Sequence, residues 1–257
     1  VHRLRRLWQL LPRLALGVAL ALVLLTVLQV AVLRFVDPPL TLTMVGAAYD
    51  YHRVEGHWRL PKRQWRDFQA LGPDVPRAVV ASEDARFWLH RGFDWEGICH
   101  AVQANRDAAE RGRDRRVGGS TISQQVARNV FLWQDQSWLR KGLEAWYTLW
   151  MELLLPKERI LELYLNVAET GTLSFGAQAG AQHYWQQDAD SLSADQAARL
   201  AAVLPSPRRW SVDGATVRRR AAWISANPAP WPGDPGFDQA ARAWSREAPG
   251  PGCLLHR

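Results

Sequence analysis

The sequence predicts a mainly α-helical domain behind a single N-terminal transmembrane helix. Three observations carry that prediction. Leu14 to Leu33 holds no charged residue, and a run of about 20 apolar residues suffices to cross a bilayer as a helix. Apolar residues recur three and four apart, as in Ile160, Leu161, Tyr164 and Leu165, the spacing that gathers side chains on one helix face. Thr121 with Gln124, and Ser193 with Gln196, have the spacing of capping boxes, in which each side chain satisfies the other residue's backbone N–H at a helix start.

The 257 residues allow one folded domain of middling size plus appendages. The formal net charge is +7 and is uneven. Arginines crowd the N-terminus, Arg111 to Arg116, Arg208, and Arg218 to Arg220. Such a balance suits an anionic partner: nucleic acid, phosphate or an acidic membrane surface. Fourteen Trp residues fit a protein that works at an interface. Cys99 and Cys253 match no metal motif and make no disulfide framework, so both are expected to be structural or free, with a disulfide as the alternative.

Taken in order, residues 1–13 form a basic N-terminus and 14–34 the transmembrane helix. The charges Arg3, Arg5, Arg6 and Arg13 before the span put the N-terminus in the cytoplasm and the rest on the outer face. The competing cleaved signal peptide has a shorter apolar run and a small-residue cleavage site. Pro38 and Pro39 end the span. Residues 35–226 form the main domain. Its first part, from Leu40, reads as extended chain followed by a helix from about Lys62. Further helices are expected through Glu83, from Asp94 to Glu110, from Thr121 to Phe131, through Arg140 to Leu155, over Lys157 to Asn166, up to Tyr184, over Ala194 to Leu204, and over Thr216 to Ser225. Pro- and Gly-rich residues 227–257 read as a poorly ordered tail with one short helix near Ala240.

Three stretches carry chemistry. In the first, Glu83 and Asp84 lie within an apolar run. On a helix, Val79, Val80, Glu83 and Phe87 share a face, and a carboxylate on such a face is desolvated, so that it exchanges protons near neutral pH. A plain Glu–Arg pair would explain Glu83 as well. In the second, Gly119-Ser120-Thr121-Ile122-Ser123-Gln124-Gln125 opens a helix after two glycines. Its free N–H groups and positive dipole end suit an anion such as phosphate, although ordinary capping needs no ligand, and it is no Walker loop. In the third, Arg140, Lys141 and Glu144 form one charged cluster on a helix, either a surface ion pair or a carboxylate beside cations that face a phosphate.

Together with these, Phe87, His90 and Gly92, Arg128 and Asn129, Ile160 to Asn166, and Phe175-Gly176 through Tyr184 give five ordered motifs. They resemble the family 51 peptidoglycan glycosyltransferases over roughly Leu40 to Ser225, and the single anchor resembles the monofunctional biosynthetic type. The resemblance implies a lysozyme-like fold with a smaller, membrane-embedded jaw. It implies polymerisation of lipid II, with the growing glycan strand as donor, inversion at the anomeric carbon and release of undecaprenyl pyrophosphate. Glu83 would be the base and Glu144 a second catalytic carboxylate that orients cations or holds a divalent ion. Asp84, Phe87, His90, Gly119, Ser120, Thr121, Gln124, Gln125, Arg128, Asn129, Arg140 and Lys141 would bind substrate, with Arg111 to Arg116 in a mobile loop between donor and acceptor. Magnesium or manganese is the one cofactor the resemblance leaves open. The implied partners are lipid II, the glycan strand, the membrane, and other cell-wall synthases or division proteins, with no nucleic acid. The implied place is the bacterial inner membrane, single-pass, with the catalytic domain in the periplasm. The chain departs from the family pattern at Arg128 (commonly Lys), Gln136 (commonly Arg), Thr170 (an aromatic) and Gln178 (Glu). A non-catalytic division scaffold and a lytic muramidase-like enzyme are the alternatives.

Overall fold

A computed structural model describes residues 2–112, 118–135 and 137–247. Among these the chain is mainly α-helical and lysozyme-like. Helix α1, His2–Val32, includes a 21-residue span from Pro12 with mean hydropathy 2.6 and almost no burial. It is long and apolar enough to cross a bilayer. Its end is fixed to the globular part. Arg159 Nε donates to the Leu33 carbonyl at 2.8 Å, and another nitrogen of Arg159 reaches Asp37 at 2.7 Å. Arg34 donates to the Leu154 carbonyl at 2.8 Å. Carbonyls left without partners where two helices end are thus met by arginines.

Residues 42–63 differ from the expectation. Leu42–Glu55 is a helix, α2, capped by the Thr41 hydroxyl and closed by Gly56 in the left-handed conformation. Lys62–Arg63 is not a helix start but a strand, β1. Helix α3, Asp74–Glu83, stops at Glu83, so Phe87 lies in the following turn and not on the helix. α4, Trp95–Glu110, starts at Asp94, whose side chain accepts from the Gly97 N–H at 2.9 Å. α5, Ile122–Phe131, carries the expected capping box. α6, Trp138–Leu154, and α7, Lys157–Val167, are separated at Pro156. β2, Glu169–Gly171, and β3, Ser174–Phe175, pair antiparallel, and β1 joins β3 in parallel. α8, Ala177–Trp185, α9, Ala194–Val203, and α10, Ala215–Ala226, follow, and α9 carries the second capping box.

The core explains this order. α3 packs against α9, α9 against α10, and α5 against both α6 and α7. α7 is buried nearly all round, from Ile160 and Leu161 to Leu163, Tyr164, Leu165 and Val167, so the narrow stripe expected of it is wider than the sequence spacing implied. Each such side chain contributes roughly 1.5–3 kcal/mol on burial. Phe131 stacks on Tyr147 at 4.2 Å, joining α5 to α6.

Two further expectations are corrected. Residues 227–247 are not a loose tail, since Trp231 packs against the core, while the short helix expected near Ala240 is present as α11, Phe237–Glu247. Cys99 is disulfide-bonded rather than structural or free. Cys253, Gln136 and most of the basic loop, from Arg113 on, lie outside the described residues.

Candidate active site

Glu83 is the last residue of α3. Two consequences follow from that position. The chain turns away after it, leaving the carboxylate half-buried at an edge. The negative end of the helix dipole also lies there, which disfavours a second negative charge. Burial pushes the Glu83 carboxyl above its ordinary value of 4.5, against the hydrogen bond from Gln125 and the positive charges of Arg220 and Arg128, which pull it down. Gln125 Nε2 donates to Glu83 Oε2 at 3.2 Å, and the Ser82 hydroxyl donates to Oε1 at 3.3 Å. The Tyr164 hydroxyl donates to Gln125 Oε1 at 3.3 Å. Tyr164 therefore fixes which end of the Gln125 amide faces the carboxylate. Its own pKa is raised well above 10 by burial and by Glu83, which keeps it a donor.

The turn after Glu83 is held from inside. Both Asp84 oxygens lie within 3.0 Å of His90 Nε2, and Oδ2 accepts from the Ile122 N–H at 2.9 Å. The Thr121 hydroxyl donates to the Gly92 carbonyl at 2.7 Å. Gly92 has φ +84°, and a Cβ there would stand 2.8 Å from a Thr148 methyl, so only glycine fits. The turn is thereby welded to the start of α5. Asp84, Phe87 and His90 are all buried, Phe87 completely. They were expected to touch substrate; they face the interior and build the frame that holds Glu83.

The first turn of α5 links Glu83 to the cationic cluster. Ser120 lies just before the helix and Gln125 in its first turn. Ser120 Oγ accepts from Lys141 Nζ at 3.3 Å. Lys141 and Arg140 both donate to Glu144, the latter at 2.7 Å. Glu144 is 1% exposed, and its peptide carbonyl accepts from Thr148 at 2.7 Å. Arg140 is buried and also donates to the Asp135 carbonyl, so it braces Glu144 and is not presented to a ligand. Lys141, 43% exposed, is the cation that reaches out. Thr121 and Gln124, expected in the cleft, are buried and engaged in capping each other. Gly119 is there for close approach: a Cβ would stand 3.1 Å from the Ile98 backbone.

Gln125, Arg128, Asn129 and Tyr164 line a polar cavity of about 310 Å³ together with Glu169 and Arg208. Arg208 donates to Glu169 at 2.7 Å. The Nε of Arg128 is buried without a hydrogen-bond partner. Gln178, which departs from the resemblance, is buried and uses both ends of its amide: it donates to Asp188 at 2.6 Å and accepts from the Ala189 N–H at 2.9 Å. A carboxylate could not make the first bond.

The residues do not fit a metal held by the protein alone. Among the described residues no group of three His, Cys, Asp or Glu side chains converges. Both Glu144 oxygens are already taken by cations.

Two contributors escaped the sequence reading. Arg220, on α10, belongs to a run noted only for its charge, yet its field reaches Glu83. Its Nε is buried without a partner, and its guanidinium lies 5.7 Å from the Trp210 ring. Tyr164 stood out as core only. A Tyr in an Ile/Leu stripe was a signal, because a buried phenol needs a partner for its hydroxyl.

Comparison with known proteins shows the family. The sequence model of the family described as Transglycosylase matches residues 52–228. A biosynthetic peptidoglycan transglycosylase of Xanthomonas euvesicatoria pv. vesicatoria (strain 85-10) is 55% identical over 202 residues, 77% of this chain and 79% of that protein. One from Xanthomonas campestris pv. campestris (strain B100) is 52% identical over 84% of this chain and 86% of its own length. One from Xylella fastidiosa (strain 9a5c) is 50% identical over 80% and 84%.

Proposed function

The chain belongs to the transglycosylase family, and from that premise we propose that it polymerises lipid II into glycan strands as a peptidoglycan glycosyltransferase. The observation that carries the reading is the pairing of Glu83, water-poor and held by Gln125 of α5, with two cations: Arg128, on the same helix as Gln125, and Lys141 of α6, which reaches Ser120 just before that helix. Glu83 takes the proton from the 4-hydroxyl of the acceptor sugar. That oxygen attacks the anomeric carbon of the donor, configuration inverts from α to β, and the bond to undecaprenyl pyrophosphate breaks. Lys141 and Arg128 stabilise the charge on the departing diphosphate.

Helix α1 is the anchor, single-pass in the inner membrane with the domain on the periplasmic side. Exposed apolar side chains support the embedding of part of the domain. Phe35, Val36 and Leu40 follow α1 directly, and Trp138, Leu139 and Leu153 lie on α6 beside it. The disulfide at Cys99 suits an oxidising compartment. Other wall synthases or division proteins are the partners expected at that place.

The test is the full chain in detergent with labelled lipid II. Long glycan strands are expected. Release of soluble muropeptides from intact sacculi, with no strand growth, would overturn the reading in favour of a lytic enzyme.

A pH dependence follows. The base works ionised, so kcat/KM rises with pH through the Glu83 pKa, on a limb above the ordinary glutamate value of 4.5. Arg220 lowers that pKa. Arg220→Met removes the positive charge, so the acid limb is expected to move to higher pH, and Arg220→Lys should largely restore it. An acid limb that stays put in Arg220→Met would show that Arg220 does not act on the base.

A further inference from the structure

Residues 229–247 lie beyond the residues that the family model matches, yet they grip the chain on both sides of Glu83. Trp231 is wedged between two residues that flank it. The Arg77 guanidinium lies 4.9 Å over its ring, and the Trp88 ring meets it edge-on at 5.1 Å. Arg77 also donates through two nitrogens to Asp234, at 2.7 and 2.8 Å. Further on, Trp244 of α11 lies 5.1 Å under the Arg86 guanidinium, which itself donates to Asp94 at 2.9 Å. Arg77 is on α3, before Glu83; Arg86 and Trp88 are in the turn after it.

The mechanical consequence is direct. Glu83 ends a helix, where backbone hydrogen bonding thins out and chains fray. Asp84, His90 and Phe87 hold the turn from the interior, and the Asp84 N–H ties it to the body of α3 at the Val80 carbonyl, 3.0 Å away. Trp231 does so from outside, touching Arg77 before the base and Trp88 beyond it. The bidentate Arg77–Asp234 pair fixes Trp231 in turn, since the planar fork sets orientation as well as distance.

We propose that residues 229–247 form a brace that sets the position of Glu83, with Trp231 and Asp234 as its positioning residues. The proposal rests on Glu83 being the base. Neither residue touches substrate; each acts through the helix end and the turn.

The test uses the full-length protein carrying Trp231→Ala, Trp231→Phe or Asp234→Asn. Small displacements of a catalytic group cost about tenfold to a hundredfold. Trp231→Ala should therefore lower kcat about tenfold or more with the KM for lipid II within about twofold, and Trp231→Phe should recover most of the loss. Asp234→Asn should fall between them. In Trp231→Ala, backbone hydrogen exchange should speed up at residues 84–92 while α7 and α9 stay protected. A kcat within twofold of the parent, or faster exchange spread evenly over all helices, overturns the brace. Glu83→Gln is assayed in parallel. If that variant still elongates strands, the base assignment falls, and the exchange pattern alone then decides whether the brace exists.

Discussion

Glu83→Gln is expected to slow glycan strand formation about 10²–10⁴-fold, the range a positioned general base supplies, without weakening the fold. The amide is isosteric with the carboxyl group. It can still accept from Gln125 Nε2, which now donates to Glu83 Oε2 at 3.2 Å. What is removed is basicity. The effect on stability has a definite sign. Burial is the leading cause that raises the Glu83 pKa above the ordinary glutamate value, so the ionised side chain is less favoured in the folded protein than in the unfolded chain. A glutamate of this kind contributes stability below its unfolded pKa, and the contribution is lost as pH rises through the folded value. At neutral pH the neutral amide is therefore expected to leave the melting temperature unchanged or raise it. Lipid II binding should persist, because the cations Lys141 and Arg128 are untouched. The measurements are strand length by gel, lipid II binding by titration, and thermal unfolding. Elongation at the parent rate by a folded Glu83→Gln would remove Glu83 from the chemistry.

The parts of this molecule that were legible in its sequence are those fixed by neighbours along the chain. The capping boxes at Thr121 and Ser193, the break at Pro156 and the Asp94 cap are local signals, and the helices they bound were foreseen. The misjudged parts are set by distant partners. α3 stops at Glu83 as Asp84 turns away to meet Ile122, 38 residues on, and His90; helical spacing alone would have carried Phe87 onto the same face. Strand β1 exists because β3 pairs with it. α2 buries only Thr43, Met44 and Ala47, too few for a clear apolar period. In the site, resemblance gave Asp84, Thr121 and Gln124 a part in substrate binding, but only coordinates distinguish a side chain spent on the frame from one facing the cleft. Trp231 and Arg220 act through space on Glu83's surroundings, and nothing local marks them. Composition made the stretch after Asn227 look loose; Trp231, Asp234 and Trp244 anchor it.

The second large effect is expected at Glu144, and it is on stability before activity. Glu144 is 1% exposed, and its two oxygens accept separately from Arg140 and Lys141. Arg140 is itself buried. Removing one partner of a buried pair leaves the other charge uncompensated and costs about 3–5 kcal/mol, so Glu144→Ala should melt several degrees below the parent. Glu144→Gln keeps the shape but can offer only one oxygen to two cations, and it places an amide N–H against one of them; the same order of loss is expected. Lys141→Met separates the two roles. Lys141 is 43% exposed, and Arg140 remains to neutralise Glu144, so unfolding should change little. The cation nearest Ser120 and the α5 N-terminus is lost, however, and the rate of strand formation should fall by about 10²-fold, as on removal of a donor from a developing anion. Glu144→Gln that unfolds within about 1 kcal/mol of the parent would mean that the cluster behaves as a surface pair, and Lys141→Met at full rate would place the leaving diphosphate elsewhere. With stability lost at Glu144 and rate lost at Lys141, the carboxylate is the buried post and the lysine the group that meets the substrate, which is the division of labour the burial of the two side chains requires.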